Sequence, residues 1–265
     1  PAALYVVMAT PPFQEKVREI GQEELTKLLG SDVTIGSVTF TPYNKVALRD
    51  VLIKDDKGDT AAYIKRLGAG IDLHALLIDE RISVNYAELI GLDARLYKET
   101  PQSQLNIQSI IDALSPKDKN KPPTKFDLKV NNIVIRNSSV KYDVLSEAID
   151  SLKLDVNHIL ISDFNADVRL PRIKNDDFTA EIKRFTLREK SGLTLSNLSG
   201  DFHITNNGST LQSLSIQFPE SHITFADIKL NYDGWNNLLQ GLKQHSVTLK
   251  TLNNSHVSLS DFRGL

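Results

Sequence analysis

Along most of this chain apolar residues alternate with polar ones, as in strands that bury one face. The alternation repeatedly misses a beat. In VTIGSVTF (Val33–Phe40), Val33 and Ile35 set the rhythm, two residues intervene, and Val38 and Phe40 resume it out of phase. The unit recurs as LKVNNIVI (Leu128–Ile135), LDVNHILI (Leu154–Ile161), AEIKRFTL (Ala180–Leu187) and ITFADIKL (Ile223–Leu230). Related slips occur in LRDVLI (Leu48–Ile53) and IKRLGAGIDL (Ile64–Leu73). Side chains alternate with a period of two, so an extra residue should turn the rest of a strand inside out. A β-bulge, in which two residues oppose one, bends the strand and keeps its apolar face apolar.

A two-residue hairpin turn at each intervening pair would have the same effect. Asn131-Asn132 suits that; Lys183-Arg184 and Ala226-Asp227 do not. Plainer turn signals lie at DDKGD (Asp55–Asp59), KNDD (Lys174–Asp177), EKSG (Glu189–Gly192) and NNGS (Asn206–Ser209). They delimit strands longer than the usual length of about 5–6 residues. The pattern therefore favours bulged, coiling strands.

One segment has a different period. Phe13, Val17, Ile20, Leu25, Leu28 and Leu29 fall near helical spacing among Glu and Lys, with Pro12 in the first turn and Gly30 as the stop. Packing against a sheet suits this amphipathic helix better than lying alone on a membrane. Ile107, Ile110, Ile111 and Leu114 predict a short helix, and WNNLLQGLKQ (Trp235–Gln244) a second. Ser115–Lys125, rich in Lys and Pro, reads as a linker. The expected organisation is an anchor end at 1–12, a helix plus first β segment at 13–114, this linker at 115–125, and a continuing β segment at 126–265. A sheet with one apolar face must cover it. A second sheet would close it into a sandwich or barrel; otherwise it curls into a trough, whose exposed apolar surface calls for a ligand or partner. The predicted fold is mainly β: a long, bulged, coiled antiparallel sheet forming an apolar-floored groove, or half-pipe, with one N-terminal amphipathic helix and short extra helices.

Composition narrows the function. Of 265 residues, 31 are basic and 33 acidic, giving a formal net charge of -2 and no basic footprint for nucleic acid. There is no cysteine, which excludes disulfides and thiolate chemistry. The chain opens on Pro1 without an initiator Met and reads as a fragment or processed chain. The uncharged run Pro1–Ala9 is too short to span a bilayer, which takes about 20 apolar residues. It is either a buried N-terminal turn or strand, or the end of a membrane-spanning helix; the change to FQEKVREIGQEELTKLLG after Pro11-Pro12 favours the latter. Leu4, Tyr5, Val6, Val7 and Met8 would then belong to an anchor.

Catalytic patterns are weak. His74, His158, His203, His222, His245 and His256 show no helix-borne metal spacing. SSVK (Ser138–Lys141) matches Ser-x-x-Lys only formally, because in a strand Lys141 would not turn back onto Ser138. Asp55-Asp56 and Asp176-Asp177 sit in turn-like stretches, where solvated carboxylates are expected. The reading is of a non-enzymatic protein without metal or cofactor.

The order of features carries a resemblance. The helix ending Leu29-Gly30 is followed by Ile35-Gly36-Ser37-Val38, by a hairpin from Leu48 to Asp59, and by a strand ending Asp72-Leu73. LNIQSIIDAL then precedes the Lys/Pro-rich linker, and the chain closes on Tyr232–Leu265. This resembles the N-terminal region of the TamB branch of the AsmA-like envelope proteins, especially the form found in Bacteroidetes. The resemblance implies a periplasmic bridge anchored in the inner membrane of a Gram-negative bacterium. It further implies phospholipid passage along a β-groove, an outer-membrane barrel partner, and a part in outer-membrane biogenesis and protein secretion.

The periodicity independently names the apolar floor. It comprises Ile35, Val38, Phe40, Val51, Ile53, Leu67, Ile71 and Leu73, then Val130, Ile133, Ile135, Leu154, Val156, Ile159 and Ile161. Ile182, Phe185, Leu187, Phe225, Ile228 and Leu230 complete it. Part of this set should instead be covered by the helix of residues 13–29. The expected ligand is the acyl chain of a phospholipid. A scaffold that binds protein strands at its sheet edges is the alternative.

Overall fold

Pro at the first helical positions, where a missing N–H costs nothing, opens helix α1 (Pro11–Leu29) after Thr10 in extended conformation. Gly30 stops it in the left-handed region (φ 63°), its N–H donating to the Thr26 carbonyl at 2.9 Å. The remainder is mainly β. The computed structural model describes residues 7–41, 45–71, 82–114, 126–150, 154–174, 177–232, 247–251 and 254–264. The linker at 115–125 and the Trp235–Gln244 segment lie outside them. So do Asn175 and Asp176 of the KNDD turn, with Leu73 and the anchor positions Leu4, Tyr5 and Val6.

The strands are β1 (Val33–Thr41), β2 (Lys45–Lys54), β3 (Thr60–Ile71), β4 (Ile82–Lys98), β5 (Phe126–Val144) and β6 (His158–Lys174). They continue as β7 (Asp177–Glu189), β8 (Thr194–Leu195), β9 (Asn197–Thr205), β10 (Gly208–Gln217), β11 (His222–Asn231) and β12 (Val247–Thr251). Helix α2 (Gln108–Leu114) and a 3₁₀ helix (Leu259–Phe262) are short. Hydrogen-bonded neighbours follow chain order from β1 to β12, except that β8 pairs β7 off this path. The strands are long, up to 19 residues in β5. Two compact units emerge: Pro1–Val130 with Arg136–Asp150 and Asp155–Ile161, and Asn131–Ile135 with Ser151–Leu154 and Ser162–Leu265.

In the first unit the missed beats of four strands form a single row. The core residues are Ile35 then Val38 in β1, Leu48 then Val51 in β2, Ile64 then Leu67 in β3, and Leu89 then Leu92 in β4. The intervening pairs face one another: Ser37↔Arg49, Arg49↔Arg66 and Arg66↔Ile90 are in register, with Gly36, Asp50, Lys65 and Gly91 beside them. The register runs unbroken through this row. The expected two-against-one bulge is therefore corrected here. A strand that flips faces slips against a neighbour only if that neighbour does not flip; here all four flip together.

The second unit supplies the contrast. β10 and β11 both carry the intervening pair, and their register passes through Gln212↔Asp227 to Leu214↔Phe225 without a shift. β9 keeps one phase from Leu198 to Ile204, and its register with β10 shifts between Gln212 and Ser215, as a bulge requires. Against β12, β11 shifts between Phe225 and Asp227. Gly200 meets the bulge, where a Cβ would lie 3.2 Å from the Leu214 Cα and 3.3 Å from the Gln212 carbonyl oxygen.

Left-handed backbone marks many of these pairs. Asp50 (φ 54°), Gly91 (66°) and Ser213 (52°) each hold the second place of an intervening pair, and Asn137 (50°) and Asp163 (51°) take the same backbone inside β5 and β6. Asp and Asn tolerate this region better than other non-glycine residues. Asp50 also accepts a hydrogen bond from the Tyr63 hydroxyl at 2.5 Å. The hairpin alternative fails for pairs inside continuous strands, Asn131-Asn132 included. In LDVNHILI it fails for another reason: Leu154 and Val156 lie outside any strand, and a turn that closes from His158 N–H to the Asp155 carbonyl at 3.0 Å leads into β6.

Candidate functional site

The first unit buries its apolar face. Val33, Ile35, Val38, Val46, Val51 and Ile64 form its core, and Val17, Leu25 and Leu29 of α1 pack on it with Phe40, Leu48, Ile53, Leu67, Leu89 and Leu92. Ile35 and Val51 are 1% exposed and Val38 2%. Burial of each such side chain contributes about 1.5–3 kcal/mol. Phe13 meets Phe40 with ring centroids 5.5 Å apart. Ile35, Val38 and Val51 thus lie buried in this core, with Phe40, Ile53 and Leu67 packed half-buried against it. Ile71 lies in β3 and Val130 in β5.

The second unit is built differently. The register aligns Ala180, Phe202, Leu211 and Ile228 in one row across β7, β9, β10 and β11. A parallel row runs Phe178, Ile204, Ser209 and Leu230. Directly opposed residues share a face, so these rows make an apolar stripe perpendicular to the strands. Ala180, Ser209 and Leu214 are buried, while Phe202, Leu211, Ile228 and Leu230 are only half-buried. Ile182, Phe185, Leu187, Phe225, Ile133 and Ile135 are likewise half-buried, and Phe185 meets Phe164 edge-on at 5.2 Å. Among the described residues, the clustered apolar core lies in the first unit and no helix comparable to α1 packs on the second.

Several expected positions fall elsewhere. Ile159 and Ile161 are half-buried in β6. Val156 is 68% exposed in the turn before β6, so its assignment to the floor is corrected. Leu154 precedes the same turn, its N–H donating to the Gly264 carbonyl at 2.5 Å. Val7 is exposed and Met8 buried. Among the described residues no helix is long and apolar enough to cross a membrane.

The polar constellations are structural in geometry. Asp55 is buried, not solvated as its turn suggested. Its carboxylate accepts from the N–H groups of Lys57 and Asp59 at 2.9 Å each, Asn106 Nδ2 at 3.1 Å and the Tyr97 hydroxyl at 3.2 Å. Burial alone pushes this carboxyl up, but the bonds from Asn106, the two amides and Tyr97 outweigh it and hold the group below the usual carboxylate range. His158, also buried, bridges Asp143 through Nδ1 and the Glu147 carbonyl through Nε2, each at 3.1 Å. Asp143 is lowered too: burial opposes this, and hydrogen bonds from Lys141 and His158 prevail. Neither site is legible in the sequence, because Asn106 and Tyr97 lie 51 and 42 residues from Asp55, and His158 lies 15 from Asp143.

Ser138 is 2% exposed, donates to the Arg136 carbonyl and accepts from the Leu92 N–H. Lys141 pairs with Asp143 at 2.8 Å instead. Among the described residues no three His, Asp or Glu side chains gather as metal ligands. A cleft of about 680 Å³ is lined by Thr26, Ser31, Asp32, Lys54, Asp56, Lys57 and Ser109, among others. No protein-family model matches the sequence, and no curated protein matches it.

Proposed function

We propose that this chain is part of a non-enzymatic lipid-transfer bridge that shields phospholipid acyl chains on an apolar β surface. The observation that carries this reading is the half-buried stripe of Phe202, Leu211, Phe225, Ile228 and Leu230 across neighbouring strands. Such a stripe suits hydrocarbon: it offers contact along the direction in which strands succeed one another and has few polar groups to desolvate. At about 0.8 kcal/mol per buried CH₂, a segment of six methylenes contributes about 5 kcal/mol without any polar contact. The resemblance to TamB-like proteins supplies the setting: the periplasm, an inner-membrane anchor and an outer-membrane barrel partner.

Native mass spectrometry of the purified chain tests the proposal. Bound phospholipid is expected, and Ile228→Asp should displace it while Val156→Asp does not. A lipid-free chain that instead captures an extended client peptide would replace this reading with the strand-binding scaffold.

A further inference from the structure

An end strand presents unpaired N–H and C=O groups that invite another chain. β1 ends the hydrogen-bonded order, and beyond it lies a helix instead of a strand. The Ile35 N–H donates to Gln22 Oε1 at 3.1 Å and the Val33 N–H to Thr26 Oγ1 at 3.2 Å. Arg18 Nη1 donates to the Ile35 carbonyl at 3.3 Å and to Gln22 Oε1 at 3.3 Å, which turns the Gln22 oxygen toward β1. Glu15 holds the guanidinium in turn, accepting from Arg18 Nε at 3.0 Å and from Nη2 at 2.5 Å.

The spacing explains why a helix can do this. Residues 18, 22 and 26 follow at four-residue steps on one helix face, with a rise of about 6 Å per step. Successive outward N–H groups of a strand recur every two residues, about 6.7 Å apart. The two repeats nearly coincide over the step from Gln22 to Thr26, which matches Ile35 to Val33 with α1 running antiparallel to β1, and Arg18 joins Gln22 at Ile35. We infer that Arg18, Gln22 and Thr26 act as a side-chain surrogate for a missing strand and close the Val33–Ile35 part of this edge to a second copy of the chain.

Hydrogen exchange and sedimentation velocity on the isosteric double variant Gln22→Leu/Thr26→Val test this. The amides of Val33 and Ile35 should exchange about tenfold faster or more, since each loses its acceptor, while those of β3 stay unchanged. With two donors orphaned, α1 loosens and the bared edge should give concentration-dependent dimers. The conservative Gln22→Glu/Thr26→Ser variant, which keeps both acceptors, should sediment and exchange as the parent chain does. Unchanged exchange at Val33 and Ile35, or a double variant that stays monomeric at high concentration, overturns the inference. Should the double variant not fold, Thr26→Val alone is read at the Val33 amide, where unchanged exchange is equally contrary.

Discussion

Deleting Asp50 probes the row of matched intervening pairs most severely. Asp50 is one of the two residues between Leu48 and Val51 and stands in the left-handed region. Without it, Leu48, Val51 and Ile53 fall into a plain period of two and stay on the inner face, where Val51 is 1% exposed and Ile53 packs on the same core. β1 and β3 keep their intervening pairs, so the register of β2 must shift by one residue against both, as it does between β9 and β10. Each shift leaves at least one ladder hydrogen bond unmade, at about 0.5–1.5 kcal/mol, so the two together should cost about 1–3 kcal/mol of a typical total stability of about 5–15 kcal/mol. Urea denaturation monitored by circular dichroism, with hydrogen exchange across β1 to β3, gives the reading: Val51 should stay protected while amides beside the row exchange faster. If the deletion costs nothing and no amide beside the row changes, the neighbouring strands do not depend on a matched pair in β2. The matched-row explanation would then be wrong. Asp50→Gly is the control, because relief of left-handed strain, about 1–2 kcal/mol, offsets the lost Tyr63 hydrogen bond of about 0.5–1.5 kcal/mol, or somewhat more to a charged acceptor.

Other consequences follow from the same geometry. Gly91→Val should cost more than about 1–2 kcal/mol, since a Cβ there meets the Lys65 Cβ at 3.0 Å in a left-handed conformation; a neutral result in thermal denaturation would contradict it. Asn106→Ala should cost about 1.5–3 kcal/mol by removing a donor to an ionised carboxylate. Asp55 and Asp143 both have folded pKa values below the unfolded value, which is about 3.9. Their stabilisation is thus complete above that value and is lost as pH falls through the folded pKa. Asp55→Asn should flatten this acid limb, and an unchanged pH profile would refute the assignment. Val156→Asp should leave stability and lipid content as they are, because the side chain already faces solvent.

Local patterns were legible where a local cause suffices. Pro11-Pro12 and Gly30 bound α1, and Asp55–Asp59, Glu189–Gly192 and Asn206-Asn207 make turns between strands. The missed beats themselves were visible, yet their structural form depends on the neighbouring strand. β10 and β11 carry the same pair and stay in register, whereas β9 lacks it and forces a bulge. Floor and core also looked alike in sequence: Ile35 and Ile228 follow the same alternation, yet Ile35 is buried in a core on which α1 packs and Ile228 is half-buried. Leu154 and Val156 continued the rhythm by chance, with Asp155 and Asn157 making a turn. The buried Asp55 escaped notice because Asn106, which completes its shell, lies 51 residues away.

In the function proposed above, the apolar stripe of the second unit meets lipid, whereas the like-patterned residues of the first unit pack in a core with α1. Photo-crosslinking in a lipid-exposed cell envelope measures this directly, with the reactive residue placed at Ile228 or Leu211 and, in separate chains, at Val38 or Val51. Phospholipid adducts are expected at Ile228 and Leu211 and none at Val38 and Val51. Equal labelling at all four positions, or none at Ile228 and Leu211, would contradict it.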